Sequence, residues 1–63
     1  MWKVILVVGT KESADKTRRL LSDFNINVKI IPVNKSDSSS PFEILVPETE
    51  VNKAHQILVE NNL

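Results

Sequence analysis

Residues 42–51 read Phe42-Glu43-Ile44-Leu45-Val46-Pro47-Glu48-Thr49-Glu50-Val51, and on their reading the fold turns. Phe42, Ile44 and Val46 alternate with Glu43 and Leu45, the period of two that lays a strand with one face on a core. Pro47 ends the alternation and opens a helix, since its fixed φ suits a first helical position and its missing amide has no partner to lose there. The helix that follows carries Val51, Ala54, Ile57 and Leu58 on one side. Glu48 and Glu50 stand at its start, where unpaired N–H groups favour negative charge.

A strand and a helix with one apolar face each need partners, and these lie upstream. Residues 2–8 are apolar apart from Lys3 and are stopped by Gly9, which reads as a strand with faces Trp2, Val4, Leu6, Val8 and Lys3, Ile5, Val7. Thr10 supplies a capping oxygen, and Ala14, Thr17, Leu20, Leu21 and Phe24 recur at helical spacing. Asn25 suits the left-handed position that ends a helix, and Ile26 is placed to fold back on it. Residues 27–33 alternate again, with Val28, Ile30 and Pro32 against Lys29, Ile31 and Val33. Because Pro32 cannot donate to a ladder, this strand belongs at an edge or frays at that residue. Residues 34–41 hold four serines and no apolar side chain except proline, so they are expected as a flexible loop between strands two and three.

Strand, helix, strand forms a right-handed crossover, making strands one and two parallel, and the third strand fits antiparallel between them. The expected fold is an α+β, two-layer βαββα sandwich over residues 1–63 as a single domain. It is a truncated ferredoxin-like form with sheet order 1-3-2 and both helices on one face.

Composition narrows the function. Eight basic and eight acidic residues give a formal net charge of zero, so the broad field that draws proteins to nucleic acid or anionic lipid is missing. Neither partner is expected. With no Cys and a single His, disulfides and a Cys/His metal cage are excluded, and no metal or cofactor is expected. Apolar runs fall far short of the roughly 20 residues that span a membrane, and the reading is a cytoplasmic protein. A core this small contributes roughly 3 to 5 kcal/mol of net stability, which leaves oligomerisation as the natural reinforcement.

The opening Met1-Trp2-Lys3-Val4, the strand at 28–33 with Pro32 inside it, and Ile44-Leu45-Val46-Pro47-Glu48 leading into Val51, Ala54 and Ile57 resemble one family. It is that of the small bacterial prokaryotic signal-transducing proteins, ferredoxin-like and distantly similar to nitrogen-regulatory PII proteins. The resemblance covers almost the whole chain and implies a signalling role. In PII proteins the loop between strands two and three carries partner contacts, which implies contacts at Lys35, Asp37, Ser38, Ser39 and Ser40. The chain has no counterpart of their fourth strand or of their basic nucleotide-binding segments.

Strand parity supplies the main candidate site. Two helices on one side leave the other face of the sheet bare, and alternation assigns Ile5, Val7, Ile31, Val33 and Leu45 to it, with Lys3, Lys29 and Glu43 nearer its ends. Leu45 is expected beside Ile5 and Ile31. Solvent-facing sheet surfaces normally turn polar, and a contiguous apolar patch marks an interface. Strand one, with Lys3 its only charge, also offers an edge on which two chains could pair as a homodimer. A smaller candidate is an anion site at Gly9, Thr10 and Ser13, where helix amides are free; capping explains the same residues. Lys11, Lys16, Arg18 and Arg19 interleave with Glu12 and Asp15 as on an ordinary solvated helix surface. His55 borders the apolar stripe of the second helix without an assignable catalytic partner.

The favoured function is a small binding or regulatory module, not an enzyme, acting through a protein or small ligand at the open face or the loop. The alternatives are an oligomerisation scaffold domain of a larger complex and a small enzyme with its site at a dimer interface.

Overall fold

The structure is a computed structural model that describes residues 1–62. Its elements run β1 (Trp2–Val8), α1 (Lys11–Ser22), β2 (Lys29–Pro32), β3 (Phe42–Pro47), a 3-10 turn (Glu48–Glu50) and α2 (Val51–Glu60). The sheet order is β1-β3-β2, with β3 antiparallel to both neighbours. This is the expected 1-3-2 sandwich. Ala14 and Leu21 of α1 meet Ala54, Ile57 and Leu58 of α2 over Ile44 and Val46 of β3 in a single buried cluster, so both helices roof one face. The Cα envelope is a slab of 32 × 25 × 15 Å, the thickness of two layers.

Local chemistry sets the ends of each element. Thr10 is extended, and its Oγ1 accepts from the Ser13 amide at 3.1 Å, capping α1. Thr17, on the buried side of α1, donates its hydroxyl to the Ser13 carbonyl at 2.9 Å, so its burial leaves no polar atom stranded. At the far end Asn25 has φ 62°, the Ile26 amide donates to Leu21 O at 3.1 Å, and the Asn25 amide donates to Ser22 O at 2.9 Å. That paired closure turns Ile26 back into the core, as the sequence predicts. Because α1 ends at Ser22, Phe24 falls beyond the helical stripe and is 45% exposed rather than buried.

The second strand is shorter than expected. Pairing runs from Lys29 to Pro32, leaving 27, 28 and 33 outside; β2 is an edge strand, as Pro32 predicts, and the Val33 amide still donates to Pro41 O at 2.9 Å beyond it, so the missing proline amide breaks no bond to β3. At the start of the chain the Met1 carbonyl accepts from the Glu48 amide at 2.7 Å, tying β1 to the joint between β3 and α2. Asn61 Nδ2 donates to Ile57 O at 2.8 Å and closes α2.

The largest departure from strict alternation is in β1. Trp2, Lys3 and Val4 pair with Pro47, Val46 and Leu45, whereas Leu6, Val7 and Val8 pair with Ile44, Glu43 and Phe42. Ile5 is an extra residue with no partner, a β-bulge. Since side chains alternate with period two, one inserted residue inverts the parity of everything before it. Ile5 therefore packs against the core cluster with Leu6 and Val8, and its assignment to the bare face is corrected. Lys3 opposes buried Val46 and moves to the roofed side, at its exposed rim, while Trp2 and Val4 turn to the bare side. The bulge lets Ile5 and Leu6, consecutive in sequence, both reach the core.

Candidate interaction face

β3 fixes which side chains share the bare face. Ile44 and Val46 are fully buried beneath the helices, so Glu43, Leu45 and Pro47 point the other way. Residues directly opposite on neighbouring strands share a face. One rung is then Val7, Glu43 and Ile31; the next is Val4, Leu45 and Lys29; Trp2 and Pro47 form a third. Val33 lies two residues past Ile31, its amide donating to Pro41 O at 2.9 Å, and is largely exposed.

Of the sequence-predicted face, Val7, Ile31 and Leu45 are brought together, and Val33 extends the surface beyond the strand. Leu45 lies between Val4 and Lys29, not beside Ile5 and Ile31. Trp2 and Val4 join a face that strict parity denies them, and Pro47 joins it as the last residue of β3 rather than the opening of a helix. Val4 and Val7, at 47% and 54% exposure, keep nearly half or more of their surface in water.

Lys29 and Trp2 stand on the two outer strands, and the Lys29 Nζ lies 4.4 Å from the Trp2 ring centroid. The ammonium-to-ring attraction, worth about 0.5–1 kcal/mol at an exposed site, holds the indole across the sheet beside Leu45. The outcome is an apolar surface of Trp2, Val4, Val7, Ile31, Leu45 and Pro47 carrying one acid, Glu43, and one base, Lys29.

The serine-rich loop carries its own hydrogen bonds. Asn34 Oδ1 accepts from the Ser36 amide at 3.1 Å and hydroxyl at 2.9 Å, and Asp37 Oδ1 accepts from the Ser39 amide at 2.9 Å and hydroxyl at 2.7 Å. Backbone bonds from Asp37 N to Asn34 O and from Ser40 N to Asp37 O close two successive turns. Ser40, 6% exposed, accepts from the Asn34 amide and donates toward the Asn34 and Pro41 carbonyls. Ser40 is thus a plug at the base of the loop, while Lys35, Asp37, Ser38 and Ser39 line its exposed outer side. The Ser39 hydroxyl, then the Ser39 amide, hold the Asp37 carboxyl below the usual carboxylate range.

At the start of α1, Thr10 Oγ1 and Ser13 Oγ are 3.1 Å apart and bonded to each other, so capping already engages the hydroxyls of the candidate anion site. His55 is exposed on α2. Among the described residues no pocket is enclosed, no group of three His, Asp or Glu side chains is assembled, and no helix is long and apolar enough to cross a membrane. Compared with protein-family models, curated proteins and solved structures, the chain finds no match.

Proposed function

We propose that the protein is a small binding and regulatory module whose working surface is the bare face of the sheet. The observation that carries this reading is the uncovered apolar surface around Leu45, spanning all three strands and held by the Trp2–Lys29 contact. A face meant only for water would present polar residues at Val4, Val7 and Ile31. The Trp is the kind of anchor that concentrates binding energy where apolar area is desolvated. The loop at 34–41, with Lys35 and Ser38 on its exposed side, is a second contact, and the resemblance to signal-transducing proteins supports a regulatory use of it.

Trp2 is the sole tryptophan, so fluorescence reads this face directly. The apolar dye anilinonaphthalene sulfonate, titrated into uniformly ¹⁵N-labelled protein, is expected to shift the amides of Val4, Val7, Ile31 and Leu45 and to change Trp2 emission. Leu45→Lys is expected to abolish both effects while helix content stays unchanged. Shifts confined to α1 and α2, or equal dye binding by the variant, would refute the assignment.

A further inference from the structure

We propose that the occupant of the bare face is a second copy of the same chain, laid face to face with strands antiparallel. This inference rests on the reading of that face as the binding surface and adds its partner. The argument starts from the placement of the two charges. Glu43 lies on the central strand, in the rung with Val7 and Ile31; Lys29 lies on the neighbouring strand, one rung along, beside Leu45. The two charges are therefore displaced by one strand and one rung.

A two-fold axis lying between two such sheets, directed across the strands and midway between the two rungs, exchanges the rungs and keeps each strand over its own copy. Val7 then covers Val4 of the second chain, Leu45 covers Glu43, and each Glu43 lies within one strand spacing, about 4.8 Å in projection, of the other chain's Lys29. Sheets packed face to face stand about 10 Å apart, a gap that Glu43 and Lys29 side chains bridge once the Lys29 ammonium exchanges its 4.4 Å contact with the Trp2 ring for the second chain's carboxylate. Two equivalent ion pairs form, as an isologous contact requires. Turning the axis along the central strand β3 instead sets Glu43 against Glu43, which like-charge repulsion disfavours. The face is self-complementary in one orientation only of these two.

Area agrees with the same partner. A three-stranded face of this extent presents on the order of 500 Å² per chain, so two copies cover at most about 1,000 Å², the size of a weak, concentration-dependent contact. Edge pairing through β1, the arrangement read from the sequence, meets the bulge at Ile5, a feature that protects sheet edges by interrupting and twisting the ladder. Face-to-face packing uses the side chains of Val4 and Val7, which the bulge leaves on the same side, and needs no backbone groups from the β1 edge.

Sedimentation of the full chain from micromolar to millimolar concentration tests this. The wild type is expected to dimerise, with Trp2 less quenched by acrylamide in the dimer. Glu43→Lys and Lys29→Glu alone are each expected to weaken dimerisation at least about tenfold, by placing like charges together. Mixing those two variants is expected to restore association as a heterodimer, and the double variant Lys29→Glu/Glu43→Lys to restore it as a homodimer. Circular dichroism of each variant guards against misfolding, and Glu43→Gln supplies a milder loss. A wild type monomeric at millimolar concentration, or a dimer indifferent to both reversals, overturns the proposal. In either case dye shifts at Val4 and Leu45 leave the binding face standing with another partner, whereas their absence removes both readings.

Discussion

Ile5 and Leu45 show how one side chain's environment decides the effect of one substitution. Both are branched apolar residues in strands, yet Ile5 packs against the roofed core and Leu45 faces outward among Val4, Lys29 and Glu43. Ile5→Lys drives a charged head toward the core, and is expected to lower stability by several kcal/mol, visible as loss of the urea transition. At a protein concentration too low for self-association, Leu45→Lys is expected to leave the unfolding free energy within about 0.5 kcal/mol of wild type, as surface substitutions do. Equal effects would mean that the parity inversion at the bulge is misplaced. Asn25 is a second test at this scale. With φ at 62°, Asn25→Ala is expected to cost about 1 kcal/mol in chemical denaturation, and Asn25→Gly to be neutral or slightly stabilising.

Among elements, helices were more legible than strands, and the reason is physical. A helix declares its ends chemically: Thr10 with its hydroxyl and Asn25 with its tolerance of positive φ stand at the joints expected of them, whereas Pro47 closes β3 with extended ψ and a 3-10 turn separates it from α2, which begins at Val51. Thr10→Ala is accordingly expected to cost about 1 kcal/mol. A bulge has no such marker. In Trp2–Val8 every residue except Lys3 suits either face, so nothing local shows that Ile5 is the extra one, and the error carries through to Trp2 and Val4. The core of the candidate face, Val7, Ile31 and Leu45, was legible because it lies on the same side of the inversion. The serines of residues 34–41 predict a flexible loop, whereas the position of Asn34 and Asp37 two residues before Ser36 and Ser39 is the pattern of side chain to backbone turns. Its acid dependence follows. Asp37 has a lowered pKa, so its bonds to Ser39 stabilise the loop fully above the unfolded value near 3.9 and fade as pH falls through the lowered one. The Ser39 amide shift is expected to titrate with a midpoint below about 3.9, and Asp37→Asn to remove that titration.

For the molecule as a whole, one cluster joins every layer. Leu21, Ile44 and Val46 are fully buried, and among the described residues no second core takes up strain if one of them is truncated. Truncating Ile44 to Ala is expected to cost about 2 to 5 kcal/mol, comparable to the roughly 3 to 5 kcal/mol such a small domain holds, so both helices and the sheet should be lost together. The same narrow margin makes association thermodynamically visible. Anything that binds the folded chain and not the unfolded one adds RT ln(1 + [L]/Kd), about 2.7 kcal/mol at a hundredfold excess over Kd. If the bare face binds its own copy, the partner is the protein itself, and its concentration sets the gain. The melting temperature of the wild type is then expected to rise steadily with protein concentration, while that of Glu43→Lys stays flat. A wild-type melting temperature independent of concentration would assign all of the stability to the single cluster under the helices.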